Sequence, residues 1–490
     1  MNFRLLAKIL GLLLILLGVT MSLCLGYAWM YGERREGMDT FEAFSISIAL
    51  TMGVGALLFI YGFKSGRDVL RKEAIAIVGL GWLVSSLFGA LPYMLISPGL
   101  GFAEAIFEST SGFTTTGASV ITDLDLIPRS ILLWRSFTQW LGGLGILVLF
   151  VALLSYLGVE SKALFRHESS AKSGEGLQAR IQDVAKRLWL IYFGLTVICC
   201  LGLVFLKMDF FEALCHSFAT LSTGGFSTRN ESIAAFHSPG IELWLMLFMT
   251  LGGISFMLYA WLLRGRWARW ETEEETQWYL WVIGICGVAI AANLIVLQLD
   301  GSILHSLRQS FFQVISIVTT TGFVTADFDL WPPFSKLLLL LLMVIGGCAG
   351  STAGGIKISR LIVFCKSLRQ EIVHAFRPNM VFRISLNGTQ IDDNLRHQTI
   401  FFVALAGTTI ALGTIVVGLL EPGFDIDSSL SSVMATLFNV GPGLGQVGAT
   451  HNYSGLSSGT QLFLSLLMIF GRLEFSALLV LFMPSLWRKY

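Results

Sequence analysis

Residues 111–118 read Ser111-Gly112-Phe113-Thr114-Thr115-Thr116-Gly117-Ala118, and three later stretches return to the same theme. They are Thr220-Leu221-Ser222-Thr223-Gly224-Gly225-Phe226, Val318-Thr319-Thr320-Thr321-Gly322-Phe323 and Leu437-Phe438-Asn439-Val440-Gly441-Pro442. Their last glycines lie 108, 97 and 119 residues apart, which marks an internal repeat. Each string follows a short apolar stretch, such as residues 102–113 or 307–318. A bilayer core of roughly 30 Å needs about 20 apolar residues per helix, so these stretches suit re-entrant segments. Each unit therefore reads as spanning helix, short half-helix, Thr/Gly string, spanning helix.

The composition agrees. Of 490 residues, 54% are hydrophobic and only 13% charged. That excludes a soluble globular enzyme, a disordered chain, a collagen-like repeat and a disulfide scaffold. A formal net charge of +1 leaves no basic footprint for nucleic acid. The seven cysteines show no CxxC or zinc spacing and read as small apolar fillers. Arg4 and Lys8 precede an apolar run over 9–30 that is too long for a signal peptide and lacks a small-residue cleavage site. It reads as a retained first helix with its N-terminus inside.

Working outward, runs long enough to span occur near 5–30, 41–63, 74–96, 131–157, 187–206, 241–263, 278–299, 336–366, 398–420 and 460–487. The expected fold is an all-α polytopic membrane protein with four pseudo-fourfold helix–pore-loop–helix units around a central pore. The expected divisions are 1–73 for two extra N-terminal helices, 74–185, 186–275 and 276–396 for units one to three, and 397–490 for unit four. Basic connections fix the orientation. They are Lys64, Arg67, Arg71 and Lys72; Lys162, Arg166, Lys172, Arg180, Lys186 and Arg187; Arg264, Arg266 and Arg269; Lys366, Arg369, Arg377, Arg383 and Arg396; and Arg488 and Lys489. Acidic loops alternate with them, carrying Asp123 and Asp125, Asp327 and Asp329, and Asp425 and Asp427. Both termini then lie in the cytoplasm and the re-entrant segments on the outer side. Arg34 and Arg35 are exceptions, offset by Glu33, Glu36 and Asp39.

Irregular backbone at membrane depth is costly unless it lines a cavity or is buried in protein. Four copies on one chain point to a shared axis, where successive carbonyls replace the hydration shell of a cation. Glycine reaches the φ values that turn carbonyls inward. Each half-helix aims its negative C-terminal end at the centre, which favours a cation over an anion. The bland alternative, small residues for close helix packing, suits one string but not four in the same context. The fourth copy has Asn439 and Val440 where the others have Thr or Gly, a departure that backbone ligands tolerate.

A second feature lies in unit three. As one helix, residues 336–369 would extend about 50 Å. The run is interrupted by Gly346-Gly347-Cys348-Ala349-Gly350-Ser351-Thr352-Ala353-Gly354-Gly355, whose five glycines oppose helix. Unwound backbone there should line the aqueous path, the alternative being a tight helix crossing. Arg472 lies in the final apolar run, where a charge faces an interior cavity and has a partner. Glu474, two residues on, points elsewhere on a helix, so the expected partner is in another unit. Arg472 is expected below the strings as a positive barrier beside the glycine segment, or else as a structural ion pair. Glu108 is expected to have a structural role, His216 and Gln313 to be satisfied packing groups, and Lys357 to pair with an acid or snorkel to the cytoplasm.

Taken together, the four strings and the glycine segment resemble the superfamily of potassium transporters (Trk, Ktr and HKT), and within it the bacterial TrkH family, over essentially the whole chain. The resemblance implies a K⁺ filter lined by Thr115, Thr116 and Gly117, Thr223, Gly224 and Gly225, Thr320, Thr321 and Gly322, and Asn439, Val440 and Gly441. The implied ion ligands are the carbonyls of Thr116, Gly117, Gly224, Gly225, Thr321, Gly322, Val440 and Gly441. Related eukaryotic members with Ser at the first position also conduct Na⁺, so Gly117 favours K⁺. The implied gate comprises Gly346, Gly347, Gly350, Ser351, Thr352, Gly354, Gly355 and Arg472. The resemblance further implies a homodimer in the bacterial inner membrane. It implies a cytosolic TrkA-like ring of nucleotide-binding subunits, with K⁺ as substrate and no cofactor on this chain itself. The basic connections 162–187 and 369–396 are candidate docking surfaces for that ring.

Other patterns lead nowhere. Gly443-Leu444-Gly445-Gln446-Val447-Gly448 matches a nucleotide fingerprint but lacks the strand and helix that such a motif needs. Two glycosylation triplets start at Asn230 and Asn452, which a bacterial-looking chain would not use. A membrane enzyme would need clustered catalytic groups, whereas His305, His374, His397 and His451 are scattered. An ion-coupled secondary transporter, carrying K⁺ with H⁺ or Na⁺ by alternating access, would be built from inverted repeats. The strings here share one orientation by the charge rule.

Overall fold

The structure is a computed structural model describing residues 1–33, 39–65, 71–97, 99–157, 174–298, 302–377 and 383–487. Arg34, Arg35, Glu36, Arg67, Lys162, Arg166, Lys172, Arg488 and Lys489 lie outside the described residues. Helices α1 (Phe3–Tyr31) and α2 (Thr40–Gly62) pack side by side ahead of the repeat. Unit one follows as α3 (Arg71–Gly89), α4 (Phe102–Phe113) and α5 (Arg129–Leu157). Unit two is α6 (Gly174–Phe205), α7 (Phe210–Leu221), α8 (Pro239–Gly253) and α9 (Phe256–Leu262). Unit three is α10 (Glu274–Val296), α11 (Ile303–Val318), α12 (Pro333–Val344) and α13 (Ile358–Phe376). Unit four is α14 (Asp393–Leu420), α15 (Ile426–Leu437), α16 (Ser458–Arg472) and α17 (Ser476–Leu481).

The surface is apolar, as lipid demands, and the interior holds a polar zone beside a large apolar core. Leu16, Leu23, Leu57 and Ile60 on α1 and α2 remain 61–70% exposed, forming an apolar rim around the molecule. The buried centre is polar: Ser109, Thr110, Ser111, Ser217, Thr220, Ser316 and Ser431 on the short helices α4, α7, α11 and α15 are at most 1% exposed. The chain is an all-α multi-pass membrane protein. Among the described residues six helices are long and apolar enough to cross, or seven if one bent pair counts as a span.

The short helices are stopped and started by identifiable groups. Asp209, Ser302 and Asp425 cap α7, α11 and α15 with side-chain oxygens on backbone N–H groups. At α4 the Glu104 carboxylate instead accepts from the Gly101 N–H at 2.8 Å.

Two expectations need correction. The run over 241–263 is not one straight span: α8 and α9 meet at 92° across Ile254 and Ser255. The final run over 460–487 also breaks, because α16 ends at Arg472 and Glu474 and Phe475 take φ of 51° and 61°. The second helices of units two, three and four are therefore all interrupted. Each break falls beside small residues at equivalent positions, Gly252-Gly253, Gly346-Gly347 and Gly471, which permit a break without forcing one. Gly142 and Gly471 are pressed onto the carbonyls of Phe113 and Leu437, where a Cβ would overlap the oxygen. In unit one α5 stays continuous past Gly142-Gly143. A small departure from all-α is a hairpin, Ser385–Leu386 with Thr389–Gln390, closed by Asn387 and Gly388 at positive φ.

Candidate functional site

The four strings share one backbone conformation. Thr115, Thr223, Thr320 and Asn439 have φ of 54–56°, and Gly117, Gly225, Gly322 and Gly441 have φ of 78–104°. The N–H groups of Thr116, Gly224, Thr321 and Val440 each bond back five residues, to Ser111, Ala219, Ser316 and Ala435, at 2.8–2.9 Å. The N–H groups of Thr115, Thr223, Thr320 and Asn439 bond back three residues, at 3.0–3.3 Å. This pair of bonds is the Schellman ending of a helix, normally built on glycine. Here threonine or asparagine occupies the left-handed position, at a cost of order 1–3 kcal/mol each that the surroundings must offset.

The strings also meet one another in a closed cycle. Gly117 lies against the carbonyl oxygen of Gly224, Gly225 against that of Thr321, Gly322 against that of Val440, and Gly441 against that of Thr116. A Cβ at any of the four would press into that oxygen, so a side chain at a seam requires the neighbouring string to shift. Asn439 ties the last seam, donating to Thr116 Oγ1 and to the Met468 carbonyl, both at 2.9 Å. Thr116, Thr321 and Val440 are fully buried. Among the described residues no donor bonds the carbonyls of Thr116, Gly117, Gly225, Thr321, Gly322 or Val440. Two oxygens in the set do accept bonds: Gly224 from Gln139 Nε2 at 2.6 Å and Gly441 from the Tyr453 hydroxyl at 2.9 Å.

The glycine segment lies between α12 and α13 and folds back on itself, with Ile345 and Ile356 bridged and Gly346 N–H bonded to the Ile356 carbonyl at 2.9 Å. It reaches three units. Thr352 donates its hydroxyl to the carbonyls of Leu221 and Gly252 at 2.9 and 3.1 Å. Gly354 N–H donates to Thr320 Oγ1 at 2.6 Å, and Gly355 N–H to the Phe438 carbonyl at 3.0 Å. The segment thus fills the space at the C-terminal ends of α7, α11 and α15. Glu275, at the start of α10, accepts from Ala349 N–H at 2.9 Å.

Arg472 comes to this segment, but not as an ion pair. Its Nη1 donates to the Thr352 carbonyl at 2.9 Å, and it is 3% exposed. Its Nε and Nη2 have no partner among the described residues. Glu474 pairs instead with Arg360 on α13. Lys357 departs from both expectations, donating to the Ala353 carbonyl four residues back.

Glu108 meets Arg135 of α5 at 2.7 Å, with both side chains at most 2% exposed. The pair is fully bonded: Glu108 accepts from the Ser119 hydroxyl and Val120 N–H, while Arg135 donates to Ser119 Oγ and the Ser227 carbonyl. It therefore clamps the exits of strings one and two. His216 holds the Glu212 carbonyl and Ser227 hydroxyl, as a satisfied group should. Gln313 is satisfied only through Nε2, on Thr325; its Oε1 has no partner among the described residues. The Asp329 carboxylate accepts from Gly445 N–H at 3.0 Å and crowds Gly448, so the discarded glycine pattern is a seat for that carboxylate between units three and four. Burial, foremost, raises the Asp329 pKa above the usual carboxylate value.

Sequence reasoning missed Gln139, Arg135 and Tyr453. One signal was available for Gln139. Aligned on the glycines at the helix breaks, Gln139, Met249, Met343 and Met468 share a position, and so do Gly143, Gly253, Gly347 and Arg472.

The fold and its polar centre define a class: multi-pass membrane proteins whose repeated re-entrant helices end in a ring of glycine strings. The TrkH family, described as a cation transport protein, matches residues 41–489. The chain belongs to that family. Along the full length of both chains it is 37% identical to the Trk system potassium uptake protein TrkH of Halomonas elongata and 38% identical to that of Escherichia coli K12. It is 32% identical to the Trk system potassium uptake protein TrkI of H. elongata, over 91% of this chain and 90% of that one. The crystal structure of the potassium transporter TrkH from Vibrio parahaemolyticus matches with a TM-score of 0.89 and 33% identity, covering 100% of each chain. These relatives are named as transporters, and the chain is not an enzyme.

Proposed function

We propose that the chain takes up K⁺ across the bacterial inner membrane through a pore enclosed by its four units. The ion ligands are the carbonyls of Thr116, Gly117, Gly224, Gly225, Thr321, Gly322, Val440 and Gly441. One observation carries this reading: six of those eight carbonyls have no donor among the described residues, and three of the six, those of Thr116, Thr321 and Val440, belong to fully buried residues. Over nine in ten buried backbone polar groups are paired, so such a cluster calls for another partner. A dehydrated cation supplies it, and four negative helix ends facing the same place favour it further.

The glycine segment is the gate. It lies against helix-end carbonyls that would otherwise face the path, and its own N–H groups and the Thr352 hydroxyl stand where a cation would stand. Arg472 fixes it there and adds positive charge below the ring. A homodimer, cytoplasmic termini and a TrkA-like cytosolic nucleotide-binding ring belong to the same reading, which family membership supports. The nucleotide then acts on that ring and not on this chain.

Complementation of a K⁺-uptake-deficient bacterium tests the proposal. The intact, well-expressed chain with its regulator should restore growth at low K⁺, and failure to do so overturns the reading. Gly117→Ser should admit Na⁺ as well. Flux that saturates at alternating-access rates would favour the ion-coupled carrier instead.

A further inference from the structure

The ring is not equally built in its four quarters. In units one and three the hydroxyls of Thr114 and Thr116, and of Thr319 and Thr321, bond each other at 2.7 Å, so each string is laced by its own side chains. Units two and four lack the second threonine, having Gly224 and Val440 there. Among the eight ion-ligand carbonyls, the two that accept a bond from a side chain, those of Gly224 and Gly441, also lie in these two strings.

Gln139 is fully buried on α5 and grips string two at two points. Its Nε2 donates to the Gly224 carbonyl at 2.6 Å, and its Oε1 accepts from Phe226 N–H at 3.1 Å. Its amide also explains why string two reads Thr-Gly-Gly: a Cβ at Gly224 would collide with the Gln139 side chain. The matching position in the other three units is methionine, which can make neither bond. Tyr453, 2% exposed, donates its hydroxyl to Gly441 in string four, while its N–H bonds the Ser119 carbonyl beyond string one at 2.9 Å. In the cycle of seams, units two and four lie opposite each other.

We propose that Gln139 and Tyr453 are positioning residues that set ion discrimination, by holding one carbonyl in each of two opposite strings. The proposal rests on the pore reading given above. A carbonyl that accepts a hydrogen bond has one lone pair engaged and part of its negative charge compensated. It presents a weaker field to an ion and moves less. Selectivity between K⁺ and Na⁺ depends on ligand field strength and number, a stronger and more mobile field favouring the smaller ion. Releasing either carbonyl therefore shifts preference toward Na⁺.

The test is the K⁺/Na⁺ permeability ratio of the full-length protein in proteoliposomes, for wild type, Gln139→Met and Tyr453→Phe. Gln139→Met gives unit one the side chain its counterparts carry, and Tyr453→Phe removes a single oxygen. Each variant should still pass K⁺, with relative Na⁺ permeability raised about fivefold, the ratio that one hydrogen bond of ordinary net strength carries. If Gln139→Met does not fold, Tyr453→Phe decides alone. A merely structural role would lower K⁺ and Na⁺ flux together, and an unchanged ratio overturns the proposal. A wild-type chain that passes K⁺ in preference to Na⁺ keeps the pore reading intact whichever way the variants fall. One that passes no K⁺ overturns both.

Discussion

Thr320 joins the ring to the glycine segment in one side chain. Its backbone is left-handed, and its hydroxyl accepts the Gly354 N–H. Thr320→Val keeps the shape but leaves that buried donor unpaired, at a cost of about 1–3 kcal/mol to the seated segment. Basal K⁺ flux in proteoliposomes without the regulator should rise at least about fivefold, the lower end of that range; unchanged flux would mean the bond does not hold the gate. Arg135 is a different case. Arg135→Ala strands Glu108 as an uncompensated buried charge, and losing one partner of such a pair costs about 3–5 kcal/mol. A large drop in Tm in detergent should follow, and a much smaller drop for the double variant Glu108→Leu/Arg135→Met. The string glycines and the charge of Arg472 were legible in the sequence. The left-handed threonines were not, because a β-branched residue there contradicts its local preference, and such conflicts concentrate at functional sites. Sequence alone did not show that the partner of Arg472 in another unit is the backbone carbonyl of Thr352 and not an acid, because an unwound segment offers its carbonyls in ways no residue type marks.

At the scale of elements, the interrupted helices matter most. The break in α12–α13 was legible because five glycines crowd into ten residues. The breaks after Gly253 and Gly471 were not, since one or two small residues in an apolar run look the same as a packing contact. Deleting 346–355 should raise flux and abolish regulation, and unaltered gating in that variant would refute the plug. The short helices make a smaller prediction. Asp425 caps α15, and the Ser428 hydroxyl, then the Ser428 N–H, hold its carboxyl below the usual range. A depressed carboxyl contributes stability above its unfolded pKa and loses it as pH falls through the folded one. Asp425→Ala should therefore cost about 1 kcal/mol near neutral pH. The gap in Tm between the variant and wild type should close as the pH is taken below the carboxylate range.

For the whole molecule, hydropathy and repeat spacing were enough to give an all-α polytopic chain with four re-entrant segments. What they could not give is the order in which the strings touch, because that depends on contacts between residues about 100 to 320 positions apart. The loop acids show the same limit: Asp329 seats on Gly445, and Asp123 accepts from Asn230 of the next unit, so the loops serve as ties between quarters. Breaking one such tie with Asp329→Ala should lower Tm while leaving ion preference unchanged, and a shifted preference would mean the loops shape the ring.

The cycle of strings closes where Gly441 meets Thr116, and this joins almost the last part of the chain to one of the earliest. A ribosome still making α14 has delivered three of the four strings, so a stalled or truncated product lacks the two seams that string four completes. Closure of the ring is thus a late event in synthesis: no product that stops short of string four can carry the seam that joins it to string one.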